Sequence, residues 1–156
     1  MKTNTLRAGL AVVAGLSFLS VQAPAGDSGK ATKDSAVLIP AANVQWSAVP
    51  GAAGVQIAAV DGDPSKGPSH FFLKFNSGFA APLHHHSAEH FVTVVAGTLL
   101  LTVDGKEQRL PPGSYFTFAG KKPHMTSCAA GVDCVLSMDV RGKWDVVPED
   151  KATAKK

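Results

Sequence analysis

Pro82-Leu83-His84-His85-His86-Ser87-Ala88-Glu89-His90 holds four of the chain's six histidines and lies between two runs that alternate like β-strands. In a strand, residues i and i+2 project to one face. His84 and His86 therefore point one way and His85 the other. A short turn later, His90 can point back toward the first pair. Neutral imidazole is the commonest protein ligand for transition metals, and this spacing offers several of them to one cation.

Outward from that stretch the pattern is all-β. The strands expected are Val55–Val60, His70–Phe75, Phe91–Ala96, Thr98–Val103, Gln108–Leu110, Tyr115–Phe118, Met125–Cys128 and Cys134–Val140. Turn residues separate them: Asp61-Gly62-Asp63-Pro64, Asn76-Ser77-Gly78, Asp104-Gly105, Pro111-Pro112-Gly113 and Gly120. Asp-Gly between two β runs is a strong two-residue hairpin signal. No long stretch after the leader keeps a helical apolar period. Eight short strands with close turns argue for a sandwich or barrel. Alternation also sorts the faces: Phe71, Leu73 and Phe75 share one, as do His90, Val92 and Val94, and then His124, Thr126 and Cys128. Histidines aligned with inward apolar residues mark a polar site at the mouth of an apolar barrel.

The two ends read differently. Residues 1–25 resemble an export signal, with Lys2 and Arg7 ahead of an apolar Ala8–Val21 core too short for a comfortable bilayer span, and Gly26 as the expected mature start. Residues 26–36 form a polar, flexible lead-in, residues 37–147 the single domain, and residues 148–156 a solvated tail. Two of the 15 Lys and Arg leave with the signal, so the remainder carries 13 against 12 Asp and Glu, a net charge of +1. That balance, without a basic stripe interleaved with aromatics, excludes a nucleic-acid face, and no further segment suits a membrane. Cys128 and Cys134 flank a plausible hairpin loop. In an exported chain they are expected to form a disulfide; the alternative is two free thiols, one beside the metal.

The two halves of the histidine set also carry a resemblance. Gly78, five residues, His84-x-His86, three residues, His90, six residues and Gly97 follow the first motif of the cupins, with His90 where that family usually has glutamate. Gly113 and His124 match the second motif, whereas Ala119, Lys121 and Cys128 depart from it. The chain thus resembles the cupin superfamily over about Val55 to Val140, and a small exported cupin-like group of no known function. The resemblance implies a double-stranded β-helix of jelly-roll type and metal ligation by His84, His86 and His124, with His90 in the glutamate's place. Strand parity agrees on all four. Glu89 is the rival to His90, since a bulge could turn it inward, and Cys128, if reduced, could reach the metal or substrate. His85 reads as exposed or outer-shell, and His70 as packed outside the barrel.

Four neutral imidazoles would leave the full charge on one divalent transition metal (Zn, Fe, Mn, Cu or Ni), making it a stronger Lewis acid than a glutamate-ligated one. Three ligands would leave room for a substrate; four lean toward storage or structure. Two functions follow as expectations. One is an exported metal-dependent enzyme, most simply an oxygenase, acting on a small molecule, with His90 as a fourth ligand or base and Lys121 or Lys122 drawing an anion to the rim. The other is a non-catalytic module that binds a metal or small ligand for sensing or sequestration. Ser87 lacks the strand–turn–helix setting of a nucleophile. By analogy with cupins, the chain would pair as a homodimer through an edge strand in Val37–Trp46.

Overall fold

A computed structural model describes residues 36–149. The expected signal, nearly all of the lead-in and the tail beyond Glu149 lie outside the described residues. The compact unit that holds the site begins at Leu38. It contains eleven strands: β1 Ser47–Ala48, β2 Val55–Gly62, β3 Ser69–Phe75, β4 Ala80–His85, β5 His90–Ala96, β6 Leu99–Val103, β7 Lys106–Leu110, β8 Tyr115–Phe118, β9 His124–Cys128, β10 Cys134–Val140 and β11 Val147–Pro148. Among the described residues, the one helical element is a 3-10 turn at Ala41–Asn43, and no helix is long and apolar enough to cross a membrane.

The strands form two antiparallel sheets, ordered β1-β2-β3-β10-β5-β8 and β11-β4-β9-β6-β7. Alternation decides which side of each faces in. In β3 and β10 every second residue is buried, and the buried set of β3 includes Phe71, Leu73 and Phe75. Those side chains meet Val92, Val94, Leu136, Met138 and Val140 from their own sheet and Leu99 and Cys128 from the other. Phe71, Leu99 and Val140 are fully buried, each burial worth roughly 1.5–3 kcal/mol relative to exposure. The architecture is the expected all-β double sheet. His70 falls on the outer face of β3, where its Nε2 lies 3.2 Å from the Ser137 hydroxyl.

Three elements differ from expectation. β4 has no clean alternation because Pro82 interrupts it; its pairing with β9 slips between Ala81 and His84, one residue more on β4 than on β9. A proline cannot donate to a ladder and belongs at such a bulge. β11 begins where the tail was expected to start: Pro148 pairs with His84, and the Glu149 amide donates to the Leu83 carbonyl. The Val37–Trp46 stretch forms no strand, and the edge of that sheet is the short β1.

The expected disulfide forms. Cys128 and Cys134 are joined with Cα atoms 5.7 Å apart, tying β9 of one sheet to β10 of the other.

Candidate metal centre

Each histidine of the site arrives by a different piece of chain. The bulge in β4 sets His84 directly opposite His124 of β9, and their ring centroids lie 4.5 Å apart. His86 follows β4 in the turn that crosses to the other sheet, and His90 opens β5 there. That turn rests on Gly120, whose φ is +108° and where a Cβ would come within 2.7 Å of the Ser87 carbonyl oxygen. Lys121 closes the contact by donating its amide to the His86 carbonyl at 2.7 Å.

One nitrogen from each of His84, His86 and His124 lies within 4.8 Å of those of the other two, and all three residues are buried. His90 is buried beside them, its ring 5.0 Å from that of His86 and 6.4 Å from that of His124. It stands outside the three-residue group. The structure thus brings three of the four expected ligands together and leaves the fourth next door.

The second nitrogen of each ring is already committed. Nδ1 of His84 donates to the Pro82 carbonyl at 2.7 Å, that of His90 to Ala88 at 3.0 Å, that of His124 to Lys122 at 2.8 Å, and that of His86 to Asp145. A carbonyl only accepts, so Nδ1 carries the proton and Nε2 is left with its lone pair, the arrangement that metal-binding histidines need. Burial keeps the rings neutral. It pushes His86 down to about 3 and His124 to about 4, and lowers His84 and His90 as well, against the partial opposition of those carbonyl bonds. Three neutral, oriented imidazoles with free Nε2 atoms fit a divalent transition metal.

The remaining candidates fall away from this centre. Glu89 is exposed, because the turn keeps regular parity into β5 and no bulge rotates it inward. Cys128 is oxidised in the disulfide and has no thiolate to offer; among the described residues no cysteine is free. The Lys122 ammonium pairs with the Asp104 carboxylate at 2.7 Å instead of lining the rim. His85 points away from the cluster, its Nδ1 2.6 Å from a Glu149 carboxylate oxygen.

Two supporting residues were not read from the sequence. Trp144 stacks on His86 with centroids 3.8 Å apart and planes 20° off parallel, and packs edge-on against Phe71 at 5.5 Å. Asp145 accepts a hydrogen bond from His86 Nδ1 on its carbonyl and one from the Ser87 amide on its carboxylate at 2.8 Å. The available signal was a tryptophan–aspartate pair just after the last long strand, but only tertiary structure shows that it folds back.

The histidines help line a cavity of about 620 Å³ whose wall is otherwise mostly apolar, including Ile57, Leu73, Phe79, Phe116 and Met138. Among the described residues, no Asp, Glu, Lys or Arg contributes to it. Such a cavity suits a small molecule.

Comparison with known proteins places this architecture. A family model described as the cupin domain matches residues 71–140. Among curated proteins no sequence relative is found. Solved structures of similar fold include the polyketide cyclase RemF from Streptomyces resistomycificus, at 18% identity over 72% of this chain and 84% of that one, TM-score 0.63. Another is an RmlC-like cupin protein from Ralstonia eutropha, at 21% identity over 74% of this chain and 73% of that one, TM-score 0.60. A third is a predicted oxalate decarboxylase from Thermotoga maritima, at 13% identity over 67% of this chain and 98% of that one, TM-score 0.57. At such identities the structures speak for the fold. With the domain match, the two histidine motifs and the double sheet that joins them, the chain belongs to the cupin superfamily.

Proposed function

We propose that the protein is an exported metalloenzyme in which His84, His86 and His124 hold one divalent transition metal and a small, apolar molecule is processed beside it. The observation that carries the reading is the convergence of three oriented imidazoles in the wall of an otherwise mostly apolar cavity. A metal held by three histidines keeps open positions and supplies Lewis acidity and, for iron, copper or manganese, redox chemistry. The chain's own contributions are more specific. The four carbonyls fix the imidazole tautomers, Trp144 holds the His86 plane, and the apolar wall excludes water from the reacting molecule. His90, neutral and buried beside His86, is a further imidazole lining the cavity and able to hold a proton.

Oxygenase chemistry asks least of such a wall, because dioxygen needs an open metal position and an apolar approach but no protein carboxylate. Structural neighbours named as a polyketide cyclase and a predicted oxalate decarboxylase support catalysis on cupin frames in general. Export is supported by the leader-like first 25 residues and by a disulfide of the kind that persists in oxidising compartments.

One observation favours a second reading, a non-catalytic module for a metal or small ligand: among the described residues, no carboxylate or lysine lines the cavity for acid–base work. The experiment that separates the two measures oxygen uptake and product formation by protein loaded in turn with iron, copper, manganese, nickel and zinc, against a panel of small apolar compounds. Turnover with a redox metal, lost in His84→Ala, supports the enzyme. Stoichiometric metal binding with no turnover by any loaded form assigns the module.

A further inference from the structure

The wall of the cavity narrows the choice of molecule. Among the described residues, besides the four histidines and the Trp144 indole, its polar side chains are Ser65 and Thr126. Ser65 is exposed and its hydroxyl already donates to the Asp63 carboxylate at 2.7 Å. Thr126 is different. It lies two residues from His124 on β9, faces inward with it, and is only 8% exposed. None of the side-chain hydrogen bonds among the described residues engages it, and the residue lines the cavity. A hydroxyl on a cavity-lining side chain that no protein group engages is available to a ligand's polar group.

The remainder of the wall sets the charge. A ligand with two ionised groups could present one of them to a metal. The other would sit among Ile57, Leu73, Phe116 and Met138, where no described Lys or Arg lines the wall, and burying an unpaired charge is strongly unfavourable. Phe79, stacked on Phe75 at 5.1 Å, supplies a ring surface for offset or edge-on contact with a ligand ring.

We propose that the cavity selects a ring compound that is mostly apolar, carries at most one ionised group and bears a hydroxyl or carbonyl, and that Thr126 is the residue that recognises that group. The proposal deepens the metalloenzyme reading by naming a substrate class, but its physical basis is the wall, which exists with or without a metal.

The test uses the full chain, freed of metal by a chelator and carrying Trp46→Phe so that Trp144 alone reports by fluorescence. The probes are 1-naphthol, 1-methylnaphthalene and dianionic phthalate at neutral pH. Quenching of Trp144 by 1-naphthol is expected, with phthalate binding at least about tenfold more weakly. Thr126→Val keeps the volume and removes the hydroxyl. It should cut the preference for 1-naphthol over 1-methylnaphthalene by about two- to tenfold and leave 1-methylnaphthalene binding unchanged. Equal binding of phthalate and 1-naphthol, or no quenching by 1-naphthol, overturns the ligand class, and neither result depends on the Thr126 variant folding. An unchanged preference in Thr126→Val overturns the role of Thr126. Metal binding is titrated separately: protein that takes up no metal but still binds 1-naphthol defeats the metalloenzyme reading alone, and the converse result defeats this one alone.

Discussion

Nδ1 of each clustered imidazole is occupied by a backbone carbonyl, so the lone pair on Nε2 is the part of the residue left for chemistry. Replacing His84, His86 or His124 with alanine should therefore lower metal affinity by about a hundredfold or more. His90→Ala should retain one metal per chain, because its ring lies outside the group. Metal content after dialysis reads both outcomes, and loss of metal in His90→Ala would return His90 to the ligand set. The same burial carries a pH dependence. His86 and His124 titrate near 3 and 4 in the folded protein, against 6.5 when unfolded. Between those values the unfolded chain binds more protons, so metal-free protein loses stability as pH falls below about 6.5 and stops losing it from this source below about 3. Urea midpoints of wild type and His86→Gln at neutral and acid pH test this: the variant should show the shallower decline.

At the scale of elements, the segment from Trp144 to Glu149 works as a strap. β11 pairs with the end of β4, the Asp145 carbonyl accepts a hydrogen bond from His86, and Trp144 covers the His86 ring. A strap that orients a ligand without touching the metal typically affects affinity by about 10- to 100-fold when broken. Trp144→Leu should show that loss in a metal titration while the near-ultraviolet signature of the packed core persists. Wild-type metal affinity in the variant would show that the bulge at Pro82 and the Gly120 contact suffice to place His86.

For the whole molecule, the disulfide is the covalent link between the sheets. Closing so short a loop contributes about 2 kcal/mol by the chain-entropy argument. Cys128→Ser combined with Cys134→Ser should lower unfolding free energy by about that amount and leave metal stoichiometry intact, since neither sulfur belongs to the histidine group. A variant that folds but binds no metal would mean that the sheet spacing at the disulfide end is transmitted to the site.

Periodicity of two is a local property, which is why the sequence by itself determined the all-β class, all eight expected strands to within a few residues, and the inward parity of His84, His86, His90 and His124. The β4 strand escaped because Pro82 and its bulge break alternation, and β11 because two residues hold no period at all. Which imidazoles converge, and which sulfur is consumed, depended on the distance between residues far apart in the chain. Only the tertiary structure decided that His90 stands beside the triad, that Glu89 faces solvent, that Lys122 is spent on Asp104, and that Trp144 returns to cover His86. Pattern along a strand encodes direction; proximity across sheets is set by register and packing, which no local pattern contains.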